Sequence, residues 1–135
     1  MSHFTRVRTA LRDPELLVTA LASLGFTAVE RHDDPQTLYG YRGDARPERA
    51  QVIIRRRHVG RLSNDIGFRR GDDGTFEAVI SDYDRSRYDR AWLTKLARAY
   101  GHAAALRYAA DNGYEIDSDT LEKSGERRLV LRRYT

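Results

Sequence analysis

The sequence predicts an α+β fold, in which an antiparallel, curled sheet of about six to seven strands carries two helices on one face, in a ferredoxin-like or half-barrel arrangement. Two stretches, near 14–24 and 88–112, place apolar residues at helical spacing. The stretches between and after them are rich in β-branched and aromatic residues and are separated by turn residues. The resulting order, β-α-β-β-β-β-α-β-β, indicates an antiparallel sheet with both helices on the same side.

The first part of the chain predicts one strand and one helix. Residues 3–10 alternate in character, which is typical of a short strand. Asp13-Pro14-Glu15 supplies an N-cap acceptor, a proline for the first turn and an acidic residue beside the positive helix end. Apolar residues at i, i+3, i+4 and i+7 follow, and Gly25 is a suitable stop. We therefore predict a helix over Pro14 to Leu24.

The middle of the chain predicts consecutive strands. We place them over 37–41, 50–57, 64–70 and 76–80, with a turn at 32–35 and a loop over 44–49, and residues 26–31 before the turn also favour β structure. Val52-Ile53-Ile54 makes 50–57 the clearest of them, and residues 71–74 read as a hairpin turn. After the long helix, Gly113 ends the helical pattern, and two further strands flank a hairpin turn at 123–126.

The stretch from Tyr88 to about Asn112 predicts a long amphipathic helix. At ~100° per residue, one broad arc of the helix is apolar. That arc comprises Trp92, Leu93, Leu96, Tyr100, Ala103 and Ala104. Arg107 projects onto the same arc and Tyr108 lies at its edge. Arg107 has two interpretations: a guanidinium that extends past an aromatic ring to water, or a buried cation with an anionic partner.

The sheet face away from the helices also needs a cover. The residues that we assign to this face are Tyr39, Tyr41, Ile53, Val79, Val130 and Tyr134. A second copy of the chain would cover it, giving a homodimer, and a sheet that curls onto the long helix would leave a small apolar cavity. The two arrangements are compatible.

Length and composition limit the function. With 135 residues, 40% of them hydrophobic, we expect a single domain over 1–135. Cysteine is absent, which excludes disulfides, thiolate zinc sites and a cysteine nucleophile, and the four histidines lack metal-ligand spacing. We predict no metal and no cofactor. No signal-peptide pattern or membrane-spanning apolar run is present, so we expect a cytoplasmic protein without membrane contact.

The basic character invites a nucleic-acid interpretation that we do not favour. Net charge is +4 and the pI about 9.6. The run Arg55-Arg56-Arg57, with arginine pairs on neighbouring strands, would form a positive face on which Tyr39, Tyr41 and Tyr134 stack bases. However, each run places arginines on both faces of its strand, and acidic residues are interleaved.

Several segments, in order and spacing, resemble one family. They are Met1-Ser2-His3-Phe4, Gly40-Tyr41-Arg42-Gly43, Asp65-Ile66-Gly67-Phe68, Tyr100-Gly101-His102, and 125–134. Across essentially its whole length the chain resembles the domain of unknown function 1257 family, which is also the hypothetical chloroplast reading frame 35 family of plastids, cyanobacteria and other bacteria. Asn64, where that family tends to have tyrosine, departs from the pattern. The resemblance implies no catalytic residues, because the family has no established activity.

Two hypotheses from different classes remain beside nucleic-acid binding. The first is a non-catalytic domain that binds a hydrophobic small molecule or a protein partner in an aromatic-lined pocket between sheet and long helix. Its candidate residues are Tyr41, Phe68, Trp92, Tyr100, Arg107 and Tyr108, with Asp65 as a further polar anchor. The second is a cofactor-independent enzyme that uses His102, Asp65 or a tyrosine for proton transfer on a hydrophobic substrate.

Overall fold

A computed structural model describes residues 3–133, and its elements follow the predicted order. They are β1 (Phe4–Arg8), α1 (Pro14–Ser23), β2 (Val29–Tyr39), β3 (Ala45–Ile54), the single-turn α2 (Arg56–Val59), β4 (Ile66–Arg70), β5 (Phe76–Ser81), a 3-10 turn (Asp84–Ser86), α3 (Arg90–Asp111), β6 (Tyr114–Leu121) and β7 (Arg127–Arg133). The α+β class with antiparallel pairing is confirmed. Tyr134, which we assigned to the second sheet face, lies outside the described residues.

The strands form two sheets. Five of them pair antiparallel in the order β1-β5-β4-β3-β2, and β6 pairs with β7 in a separate hairpin. Strands β1 and β2 are the two edges of the larger sheet and do not pair with each other, so the sheet is open and does not close into a barrel.

The two long helices, α1 and α3, cover one face of the five-stranded sheet, as predicted. Leu17 and Leu21 of α1 and Leu96 of α3 are fully buried in one apolar cluster with the central strands. The strand residues in that cluster are Val52, Ile54, Ile66, Phe68, Phe76, Ala78 and Ile80. Helix α1 begins where the sequence indicates, because the Asp13 carboxylate accepts hydrogen bonds from the amides of Glu15 (2.9 Å) and Leu16 (3.3 Å).

The second face of the sheet is covered from within the chain. Leu38, Ala50, Ile53 and Val79 form a separate buried cluster there, against which Phe4 packs. Leu38 lies so close to β4 that a Cβ built on Gly67 would be 3.0 Å from both of its terminal methyl carbons. The far end of the β2–β3 hairpin therefore folds over this face, and the sheet curls away from the helices, not onto α3.

Three local boundaries predicted from the sequence are wrong. The turn predicted at 32–35 lies inside β2, because the β2–β3 pairing shifts register between Arg31 and Gln36 and this irregularity accommodates Pro35, which has no amide hydrogen. The loop predicted over 44–49 belongs to β3 from Ala45 onward. The strand predicted over 50–57 ends at Ile54, because the Asp65 carboxylate binds the amide of Arg56 (2.7 Å) and turns the chain into α2.

Candidate functional site

A pocket of about 490 Å³ lies between the edge strand β1 and the beginning of α3. Its apolar lining consists of Val7, Ala10, Leu11, Ile80, Tyr88, Leu93 and Ala97. Leu11, Ile80 and Tyr88 are buried, and Val7 and Leu93 are partly buried against the main core. The volume lies within the range of about 300–1,000 Å³ that is usual for small-molecule sites.

Local hydrogen bonds fix two walls of this pocket. The Thr9 hydroxyl donates to the Phe76 carbonyl and accepts from the amide of Leu11 (3.2 Å), which holds the segment after β1 against the sheet. The Asp89 carboxylate accepts from the amide of Trp92 (3.0 Å) and so caps α3 at the point where that helix enters the pocket wall.

Tyr88 contributes an aromatic wall whose hydroxyl stays protonated. Its hydroxyl donates to the Val59 carbonyl across a long 3.5 Å. Burial raises the pKa of Tyr88 above its usual value of 10.0, although the nearby Arg87 acts in the opposite direction. The ring is therefore neutral at physiological pH and suits an apolar ligand.

The charged lining of the pocket is predominantly positive. Arg8, Arg85 and Arg90 contribute to it, against one acidic residue, Asp89. Arg85 lies 3.8 Å from the carboxylate of Asp82. Within residues 3–133, neither Arg8 nor Arg90 forms an ion pair with a carboxylate. Two arginine charges are thus available to an anionic group on a ligand.

The six predicted pocket residues do not converge on one cavity. Phe68 is fully buried in the core, and Trp92 packs edge-on against Tyr88, with ring centroids 5.0 Å apart. Trp92 therefore supports a pocket wall from behind. The hydroxyl of Tyr100 accepts hydrogen bonds from the amides of Arg12 (3.3 Å) and Asp13 (2.9 Å), which ties α3 to the beginning of α1.

The other three predicted pocket residues, Arg107, Tyr108 and Tyr41, also lie outside this pocket. Arg107 forms an ion pair with Asp13 (2.9 Å) on the surface, so its anionic partner is a residue of this chain. Tyr108 is 57% exposed and stacks on Tyr114 of β6. Tyr41 lies after β2, where its amide donates to the side-chain oxygen of Asn64 (2.8 Å).

The two predicted proton-transfer residues both have polar partners. His102 of α3 is 2.7 Å from the Asp119 carboxylate of β6, and this contact joins the helix to the terminal hairpin. Asp65 is 1% exposed, and its oxygens accept from the amides of Tyr39 (2.8 Å) and Arg56 and from the guanidinium of Arg55 (2.9 Å).

Asp65 forms the floor of a second, wider cleft of about 740 Å³ beside α2. Arg55 binds Asp65 with one nitrogen and the carboxylate of Glu30 with two others (2.7 and 3.0 Å). The hydrogen bonds from Arg55 lower the pKa of Glu30 to about 2, against the opposing effect of burial, and those from His32 add to the shift. The three side chains form a charged network that fixes this end of the sheet.

Sequence reasoning missed a buried polar cluster next to that cleft. Its members, Asn64, Ser81 and Asp84, are all buried, and the most exposed of them is Asp84 at 3%. The Asp84 carboxylate accepts from the Ser81 hydroxyl (2.8 Å) and from the amide of Asn64 (3.0 Å). The cluster joins the segment just before β4 and the end of β5 to the 3-10 turn before α3. Isolated Asn, Ser and Asp residues give no sequence signal for such a cluster.

The fold and the two clefts define a small α+β domain with helices on one face of an open antiparallel sheet. A family model described as "Protein of unknown function (DUF1257)" matches residues 20–130, and the chain belongs to this family. Similar relatives are each described as "Uncharacterized protein ycf35": from Guillardia theta (27% identical), Pyropia yezoensis (23%) and Cyanophora paradoxa (24%). Each comparison covers 99% of this chain and 98% of the relative.

No solved structure matches the chain. In the part of the chain that the structure describes, no helix is long and apolar enough to span a membrane. Over the same residues, 3–133, no group of three or more His, Asp or Glu side chains is arranged to hold a metal ion.

Proposed function

We propose that this chain is a non-catalytic, cytoplasmic binding domain that holds a small molecule with an apolar body and an anionic group in the pocket between β1 and α3. One observation carries the proposal: an apolar pocket of about 490 Å³ whose lining includes two arginines, Arg8 and Arg90, with no ion-pair partner in the described chain. Apolar walls with a few polar groups are typical of ligand sites, and arginine suits carboxylate, sulfonate and phosphate groups.

The pocket that supports this proposal lies between β1 and α3, and its lining differs from the six residues that the sequence suggested. Trp92 supports it through Tyr88, and the remaining five predicted residues stand outside its lining. We do not extend the proposal to proton-transfer catalysis, because neither Asp65 nor His102 lines this pocket. A homodimer remains a prediction; the face that prompted it is covered by Leu38.

A fluorescence titration with 8-anilinonaphthalene-1-sulfonate, an apolar anion, tests the proposal. The wild-type chain should give saturable binding. Ala97→Phe places a ring in the pocket and should weaken binding about 10-fold or more, because a filled pocket cannot also hold the probe. Ala91→Phe is the matched control, since Ala91 is an exposed alanine on the same helix and lines no described pocket.

A neutral probe separates the two parts of the proposal. Replacing Arg8 and Arg90 together by glutamine should weaken binding of the sulfonate probe and leave the affinity for uncharged Nile red unchanged, because only the sulfonate probe carries a negative charge. Equal binding of the sulfonate by Ala97→Phe, Ala91→Phe and the wild type, with circular dichroism confirming that all three are folded, would contradict the proposal.

A further inference from the structure

The second cleft, which we call the arginine cleft, is lined by Tyr39, Arg55, Arg56, Arg57, Arg61 and the carboxylates of Glu30 and Asp65. It lies beside α2, and it shares no lining residue with the pocket of the proposed function. Its volume of about 740 Å³ is ample for a small ligand.

The charges of the arginine cleft do not cancel. Both carboxylates bind the same side chain, Arg55, at 2.7 Å from Glu30 and 2.9 Å from Asp65. Among residues 3–133, Arg56, Arg57 and Arg61 have no carboxylate within ion-pair distance. Three guanidinium groups therefore line one concavity without a negative partner. Guanidinium groups gathered in this way repel one another unless an anion lies between them.

Part of this charge is held in place before any ligand arrives. The buried Asp65 carboxylate binds the amide of Arg56 at 2.7 Å, which fixes the beginning of α2. The guanidinium of Arg56 donates from one nitrogen to the Tyr41 carbonyl (2.9 Å). Because a guanidinium carries five N–H donors, four of those on Arg56 remain beyond that bond. A fixed, multidentate donor lowers the entropic cost of binding an oxyanion.

We propose that the arginine cleft binds a diphosphate group, either as free pyrophosphate or at the end of a small molecule such as a nucleoside diphosphate. Three unneutralised arginines match the charge of two adjacent phosphates, and arginine forks suit phosphate oxygens. Tyr39 is 39% exposed, so part of its ring is open to the organic part of a nucleotide, while the Arg55 guanidinium lies over the ring at 5.5 Å from its centroid. An extended nucleic acid fits less well, because Arg55 in the lining of the cleft is already bound by two carboxylates, and these add negative charge beside the arginines.

Calorimetric titration of the full chain with sodium pyrophosphate, without added metal and at low salt, tests this site. We expect saturable binding that weakens as salt is added. The double variant R57Q/R61Q should weaken it about 10- to 100-fold, since each arginine supplies charge-assisted hydrogen bonds. Both side chains are exposed, so the fold should be retained. R128Q is the matched control, because Arg128 is an exposed arginine on β7, outside the cleft.

Further arms separate the alternatives. ADP binding more tightly than pyrophosphate would support a nucleotide that also contacts Tyr39, whereas equal affinities would support recognition of the diphosphate alone. A97F, which fills the pocket between β1 and α3, should bind pyrophosphate like the wild type. A negative result for the arginine cleft is therefore independent of the proposed function. The inference is overturned if the wild type does not bind pyrophosphate, if R57Q/R61Q equals R128Q, or if single-stranded RNA binds and pyrophosphate cannot displace it.

Discussion

Replacing Asp65 by alanine should destabilise the protein strongly. The change leaves the part-buried amides of Tyr39 and Arg56 without their acceptor and removes one of the two carboxylates that bind Arg55. Hydrogen bonds to a charged group contribute about 1.5–3 kcal/mol each. A simple sum overshoots, because Arg55 keeps its bonds to Glu30. We therefore expect a loss of about 3–5 kcal/mol, as for other broken buried ion pairs.

Urea unfolding followed by circular dichroism measures this loss. With a slope of about 1.5 kcal/mol/M, the midpoint should fall by about 2–3 M. Asp65→Asn keeps an acceptor oxygen of similar size and should lose about half as much. The control is Asp44→Ala, which removes an exposed pair with Arg46 and should change stability by less than about 0.5 kcal/mol. A loss below about 1 kcal/mol for Asp65→Ala would refute the view that this carboxylate organises the end of the sheet.

Two further predictions concern close packing and pH. Gly67→Ala should destabilise the fold by about 1–3 kcal/mol, because the new Cβ would lie 2.7 Å from the Cβ of Ala50. Gly101→Ala has open space around it and should stabilise α3 by about 1 kcal/mol. Thermal midpoints that shift in opposite directions would confirm both predictions. Glu30 has a folded-state pKa of about 2 against an ordinary 4.5, so its bond to Arg55 adds stability above pH 4.5 that disappears as pH falls towards 2. The stability difference between wild type and Glu30→Gln should vanish over that range, and a constant difference would contradict this assignment.

The sequence carried enough information for the fold class because local signals and hydrophobic pattern agree along most of the chain. The Asp13 cap and the spacing of Leu17 and Leu21 placed α1 to within one residue at its end. The boundaries that failed depend on distant residues. Nothing within 50–57 indicates that the strand ends at Ile54, because the acceptor that turns the chain is the carboxylate of Asp65.

The candidate site was harder to predict for a related reason. The apolar arc of α3 identified which residues face inward, but such residues fill the core as readily as they line a cavity. Phe68 packs in the core and Trp92 packs against it, and the pocket lies at the edge strand β1. That β1 is an edge strand follows from the order of strand pairing, which the sequence does not reveal. Arg107 pairs with Asp13, the N-cap residue of α1, and no spacing within α3 reveals this contact.

Native mass spectrometry on the chain, purified gently from its own cells, tests the central claim most directly. The account predicts a protein mass with a small additional mass, which on release proves to be an apolar molecule with an acidic group, and predicts that Ala97→Phe loses this mass while Ala91→Phe keeps it. The same spectrum reports whether the chain is a dimer. A bare mass from the wild type, or an adduct that Ala97→Phe retains, would contradict a ligand-binding pocket between β1 and α3.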